Sequence, residues 1–356
     1  MWVPTCYGRP VAAIVPELTI YRWDLDKTYL RTEFDTVRDL LRTAVEPAAR
    51  KRTVPGASAL LRELRATGPS AITILSGSPE QMRRVLEAKL RLDGIRWDAF
   101  TLKPSLANLL KGRVRFLKDQ ISYKLAALLE ARIHSDPNTE EVLFGDDAEA
   151  DAFIYSLYAD LCAGRVGTDQ LLAVLERARV YRSQIPSIVR QADRLPRSET
   201  VRQVFIHLER MESPEVFAEF GMRICPFYNY FQPAVVLLRD EALEPRAVLR
   251  IGAEIILKHA FSPDALVASF LDLARRRYVG RPVAERLVAA AAAVERRSFG
   301  GATPSLLQFG EALERRLPEL GEARHTEPAP IDYVDLFSRD KARARAARRR
   351  AKWKKR

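Results

Sequence analysis

The chain is poor in the residues that staple small folds or hold structural metals. It has only three cysteines, Cys6, Cys162 and Cys225, far apart and without C-x-x-C spacing. That excludes a disulfide-dense secreted scaffold and a cysteine zinc site. Four histidines, His134, His207, His259 and His325, complete the inventory, and none has a second histidine four residues on, so no zinc-helix motif is present. Long apolar runs are also missing. The strongest, Leu287–Val294, is mostly alanine and falls far short of the roughly 20 residues of a membrane span. The N-terminus carries Glu17 and Asp24 and no basic stretch followed by an apolar run. No signal peptide is therefore expected, and the protein is expected to be cytoplasmic, in a reducing compartment. There is no GxxxxGK[ST], no GxSxG and no dinucleotide fingerprint, which disfavours a P-loop kinase, a lipase-type esterase and a dehydrogenase.

What is present is an ordinary globular composition over 356 residues, 47% apolar and 29% charged, long enough for about two domains. The formal charge of +12 is concentrated at one end. Residues 339–356 hold eleven Lys or Arg against one acid, Asp340, a net +10 that leaves +2 for residues 1–338. The body is therefore not a basic nucleic-acid-binding domain. The tail suits any polyanion, an anionic membrane surface or a nucleic acid, with Trp353 as an interfacial anchor. A solvated tail that only aids solubility is the plainer reading.

The first half alternates between strand and helix patterns. Strands are expected at Leu18–Asp24, Ala71–Leu75, Phe100–Lys103 and Glu141–Phe144. Helices are expected at Glu33–Glu46, Ala57–Ala66, Pro79–Leu90, Asp119–Ala131 and Asp147–Ala163. The alternation predicts an α/β fold, a parallel sheet with helices on both faces. The second half carries mostly helical periodicity, at Leu171–Tyr181, Thr200–Glu212, Pro245–His259, Pro263–Tyr278, Pro282–Arg297 and Ser305–Leu317, with Ala234–Leu238 ambiguous. The expected division is 1–169, an α/β catalytic domain; 170–327, a mostly α-helical domain; and 328–356, a linker and disordered basic tail.

Four sites line up with this pattern. Asp24-Leu25-Asp26-Lys27-Thr28 closes the first strand with two carboxylates that can share one pocket, one as nucleophile and one as general acid and base. Ser76, in Ser76-Gly77-Ser78-Pro79 after the second strand, offers a hydroxyl for a phosphate oxygen. Lys124, or alternatively Lys118, lies on the helix before the last strand and can neutralise a phosphoryl group. Gly145-Asp146-Asp147-Ala148-Glu149-Ala150-Asp151 supplies hard oxygens suited to magnesium. Each motif alone is common, but the order acid, hydroxyl, lysine, acid is specific, and three of the four stand behind apolar strands.

These motifs resemble the haloacid dehalogenase superfamily of phosphohydrolases, with its Rossmann-like sheet. Asp24–Thr28, Leu75–Pro79, Tyr123-Lys124-Leu125 and Phe144–Asp146 through Ile154-Tyr155 resemble most the catalytic domain of the actin-patch-associated phosphatidate phosphatases. The resemblance covers roughly residues 18–165. It implies that Asp24 is the nucleophile forming an aspartyl-phosphate and that Asp26 protonates the leaving oxygen and then activates water. It further implies that Thr28 supports the turn, Ser76 binds the transferring phosphoryl group and Lys124 balances its charge. Asp24, Asp146 and the Asp26 carbonyl would hold Mg2+, assisted by Asp151. Lys27 departs from the family, which commonly has an acid there, and so do Arg22 and Trp23 in a strand that is usually aliphatic. The short spacings between motifs leave little room for a cap, which favours large substrates. The aromatic run Pro226–Phe231 is either an acyl-chain lining or plain core. The leading expectation is a phosphatase for phosphatidate, peripheral at the membrane. The alternatives are another phosphomonoester (a nucleotide, phosphoprotein or nucleic-acid end) and a catalytically silent polyanion-binding scaffold.

Overall fold

The structure is a computed structural model. It describes residues 18–30, 52–103, 113–295, 298–324 and 329–339, with side chains in the helix at 113–133 described from Gln120 onward. The expected Glu33–Glu46 helix, the Lys118 side chain and tail residues 340–356 lie outside the described residues.

Six parallel strands form one sheet: β1 (Thr19–Asp24), β2 (Ala71–Pro79), β3 (Ala99–Lys103), β4 (Glu140–Asp146), β5 (Val201–His207) and β6 (Ile224–Phe227). Their spatial order is β3-β2-β1-β4-β5-β6. The chain builds outward from β1 to β3, then returns to lay β4 on the other side of β1. Strand order thus reverses between β1 and β4. The crevice beyond their carboxyl ends is where such sheets bind ligands.

Side chains alternate across the strands and feed two cores. Tyr21, Trp23, Ile74, Val142, Phe144, Phe205 and Phe227 face one side. That face is covered by α1 (Ala57–Ala66), α2 (Arg83–Leu92), α7 (Phe231–Arg239) and α8 (Pro245–His259). Outside them pack α9 (Pro263–Arg275), α10 (Arg281–Ala292) and α11 (Thr303–Glu314). Leu75, Leu143, Val204, Ile206 and Ile224 face the other side, under α3 (Arg113–Ile133), α4 (Asp151–Cys162), α5 (Thr168–Arg177) and α6 (Ile185–Asp193). The expected sheet with helices on both faces and the expected helical C-terminal region are both observed.

Two strands lie beyond residue 170, where helix was expected. Thr200–Glu212 is not a helix: Val201–His207 is β5, paired to β4 along Val142↔Gln203 through Asp146↔His207. Its six residues other than Arg202 are buried, so apolar residues fall on both faces and no period-2 pattern shows. The aromatic run resolves as core. Phe227, Tyr230 and Phe231 are fully buried, and Tyr230 stacks on Trp23, which stacks on Phe144 with ring centroids 3.9 Å apart. Arg22, the other unusual residue of β1, is buried against Glu141 of β4, donating from Nε at 2.8 Å and from a terminal nitrogen at 2.6 Å.

Candidate active site

Asp24 ends β1 and is 1% exposed. Its Oδ1 lies 2.8 Å from Lys124 Nζ, and its Oδ2 accepts from the Thr28 hydroxyl at 3.1 Å. The same hydroxyl lies 3.4 Å from Asp146 Oδ2. Its one proton can serve only one of these oxygens at a time, so Thr28 stands between the carboxylates that end β1 and β4. Asp146 Oδ1 accepts the backbone N–H groups of Ala148 and Glu149 at 2.6 and 3.0 Å. These bonds fix the sharp turn from β4 into α4.

That turn returns two more acids to Lys124. Its ammonium is fully buried, 2.5 Å from Asp151 Oδ1 and 2.8 Å from Glu149 Oε2. Asp151 Oδ2 accepts from the Asp146 N–H at 3.2 Å. Gly145 makes this approach possible: a Cβ there would lie 2.6 Å from both Cβ and Oδ2 of Asp151. Asp24, Glu149 and Asp151 are close enough to one another to hold a cation, but the centre of that triad is the Lys124 ammonium. The side of Asp24 available for a metal is therefore Oδ2, turned toward Asp146. Among the described residues, Lys124 is the lysine on Asp24.

Asp26 sits in its own buried niche. Its Oδ2 accepts from Ser76 Oγ at 2.8 Å and Ser78 Oγ at 2.7 Å, while Oδ1 has no hydrogen-bond partner. Ser76 also accepts the Ser78 N–H at 3.0 Å, so its hydroxyl serves Asp26 rather than Asp24 in this state.

Burial pushes these carboxyls up. Asp24 is held well above the ordinary carboxylate range by desolvation, opposed by Lys124 and reinforced by Asp151, Glu149 and Asp146. Asp146 is raised well above it by burial and then by Asp151 and Glu149. Asp151 is raised by burial to about 6, with Lys124 opposing. Asp26 is raised by burial against the hydrogen bonds from Ser78 and Ser76. Burial alone would lower Lys124, but Asp151, Asp24 and Glu149 hold it well above the ordinary lysine value. One ammonium faces three carboxyl groups, Asp24, Glu149 and Asp151, and a fourth, Asp146, stands beside them. A hard divalent cation beside Asp24 and Asp146 would offset that excess, so this donor set suits magnesium.

The loop after Asp26 is held from the second half of the chain. Lys27 is left-handed, φ 61°, and its carbonyl lies 2.8 Å from Nδ1 of His207, the last residue of β5. Tyr230 donates its hydroxyl to the Thr28 carbonyl at 2.8 Å. His207, Tyr230, Glu149 and Ser78 stand at the site without a role assigned to them from sequence, Tyr230 having been read only as part of an acyl-chain lining or plain core. Glu149 and Ser78 lie inside the recognised motifs and were within reach. His207 and Tyr230 are 180 and 202 residues from their partners, with no local signal.

Residues 23–168 match the family model of the phosphatidate phosphatase APP1, catalytic domain. No curated protein and no solved structure matches the chain. The matched segment contains Asp24, Asp26, Ser76, Lys124, Asp146 and Asp151 and stops before β5, so His207 and Tyr230 lie outside it. Residues 23–168 of this chain are thus similar to a phosphatidate phosphatase catalytic domain, a match that supports a phosphatase.

Proposed function

We propose that the chain is a magnesium-dependent phosphohydrolase of the haloacid dehalogenase type, acting on phosphatidate through an aspartyl-phosphate on Asp24. The observation that carries this reading is the convergence on Asp24 of Lys124, Thr28 and Asp146, with an acid of raised pKa two residues on. A carboxylate oxygen of Asp24 attacks phosphorus as the ester P–O bond breaks. The departing diacylglycerol oxygen takes its proton from Asp26, whose unpartnered Oδ1 is the free end of the acid. Asp26, now ionised, draws a proton from water, which attacks the acyl phosphate and releases inorganic phosphate and Asp24. Lys124 holds Asp24 in place and balances phosphoryl charge. Ser76 and Ser78 fix Asp26, and Ser76 turns to a phosphoryl oxygen when substrate enters. Magnesium, held by Asp24, Asp146 and the Asp26 carbonyl, supplies positive charge to the phosphoryl oxygens. The enzyme works from the cytoplasm, peripherally at the membrane.

The test is phosphate release from phosphatidate in mixed micelles and from an aryl phosphate, each with magnesium and with chelator. Magnesium-dependent release, preference for phosphatidate and loss of at least about 10³-fold in Asp24→Asn are expected. A folded Asp24→Asn with unchanged turnover would overturn the mechanism, and release from no phosphomonoester by the unmutated chain would move weight to the scaffold reading. Preference for the aryl phosphate or a nucleotide would overturn the lipid substrate alone.

A further inference from the structure

The turn after Asp26 is held at two consecutive carbonyls by side chains from beyond residue 200. Nδ1 of His207 donates to the Lys27 carbonyl at 2.8 Å, and the Tyr230 hydroxyl donates to the Thr28 carbonyl at 2.8 Å. A carbonyl only accepts, so Nδ1 carries the proton of the first bond. Lys27, between Asp26 and Thr28, is left-handed. A residue with a side chain keeps that conformation where its surroundings impose it. The φ and ψ of Lys27 join the peptide plane of the Asp26 carbonyl to the plane of its own carbonyl. Holding the second plane on His207 therefore orients the first. The Asp26 carboxyl is fixed from the opposite side, by Ser76 and Ser78 of β2.

Both holders are themselves held. His207 is buried at the end of β5, paired with Asp146 of β4 and Phe227 of β6. Its carbonyl accepts the Asp147 N–H at 3.0 Å. Tyr230 is fully buried, and its N–H donates to the Pro55 carbonyl at 3.1 Å. Its ring stacks on His207 and on Trp23, with centroids 6.4 and 5.2 Å away. Trp23 directly precedes Asp24. One aromatic stack thus joins the end of β5 to the end of β1. Neither bond is needed to build the sheet, whose strands pair through their own backbones. What the two bonds add is a fixed direction for the chain leaving Asp26.

We infer that His207 and Tyr230 are positioning residues of the phosphatase site: they set the Asp26 carbonyl for the metal and the Asp26 carboxyl for the leaving oxygen. The site is then incomplete within residues 23–168. This rests on the proposed phosphohydrolase reading. The test uses the full chain with Tyr230→Phe, His207→Leu and His207→Asn. Leu and Asn match in size and branching, and Asn keeps an N–H donor close to the place of Nδ1. The control is Tyr278→Phe. It deletes the same kind of bond, from a buried tyrosine hydroxyl to the Ile224 carbonyl, at the opposite end of β6. The readouts are kcat and KM for phosphatidate, the Kd of magnesium by calorimetry without substrate, and Tm.

The expected kcat falls about tenfold in Tyr230→Phe and about a hundredfold in His207→Leu. KM should stay within about twofold, because substrate binding is not what these residues supply. Both variants should weaken magnesium about tenfold. His207→Asn should recover most of the kcat lost in His207→Leu. Tyr278→Phe should lower Tm while keeping kcat and the magnesium Kd within about twofold of the unmutated chain. Unchanged kcat in a folded Tyr230→Phe would overturn the inference. So would losses that Tyr278→Phe reproduces, or a His207→Asn no better than His207→Leu. If the unmutated chain releases phosphate from no substrate, the phosphohydrolase reading fails instead. Weaker magnesium binding in the two variants would then still support the hold on the Asp26 carbonyl, and unchanged or absent binding would overturn it.

Discussion

Asp26 shows how much one side chain's surroundings decide. In the proposed mechanism this carboxyl gives a proton to the leaving oxygen, so it has to be protonated when substrate arrives. Burial provides this by disfavouring the ionised form, while Ser76 and Ser78 partly offset it and fix the orientation. Because the native pKa is raised, the proton is present at low pH and lost as pH rises through that value. Turnover limited by leaving-group departure should therefore fall on the alkaline side. Asp26→Asn should lower kcat by on the order of 10²–10⁴-fold, least for an aryl phosphate whose leaving group needs no proton. It should also flatten the alkaline limb of the pH–rate profile. A variant that kept the limb would assign it to another group.

At the scale of elements, the strand ends carry the chemistry. The acids, the hydroxyl motif and the lysine were readable because each sits in a local pattern of fixed spacing. Elements with one clear period were readable as well: Ala57–Ala66 and Pro245–His259 appear with the expected bounds. β5 was not, because a strand buried on both faces has no alternation, and Val-Arg-Gln-Val-Phe-Ile also fits a helical stripe. The hold of His207 and Tyr230 on the Lys27 and Thr28 carbonyls was invisible for a related reason: nothing near residues 24–28 encodes a partner in β5 or after β6. Gly145 tests the close packing of β4 against α4. Gly145→Ala should push Asp151 off Lys124 and cost about 1–3 kcal/mol in a urea melt. Phosphatase activity should fall by more than that loss of folded protein explains. Unchanged activity in a stably folded Gly145→Ala would show that the Lys124–Asp151 contact is dispensable.

Over the whole molecule, the buried acids couple stability to pH and, through the proposed magnesium site, to metal. Asp24, Asp26, Asp146, Asp147 and Asp151 all have carboxyls raised by burial. The native state therefore binds more protons than the unfolded chain above the ordinary aspartate value of 3.8. Stability from these groups is complete below that value and is lost as pH rises through the native values, which for Asp151 means through about 6. As pH rises through those native values the folded chain gains ionised carboxylates that a divalent cation can neutralise. Magnesium should raise Tm at about pH 7 and much less at about pH 5, where protons already occupy the cluster. At a hundredfold excess over Kd the gain is about 2.7 kcal/mol, a few degrees in a scanning experiment. Asp146→Asn should shrink the magnesium shift while raising Tm without metal, because it removes one of the repelling charges. Equal magnesium shifts at both pH values would locate the ion away from these carboxylates.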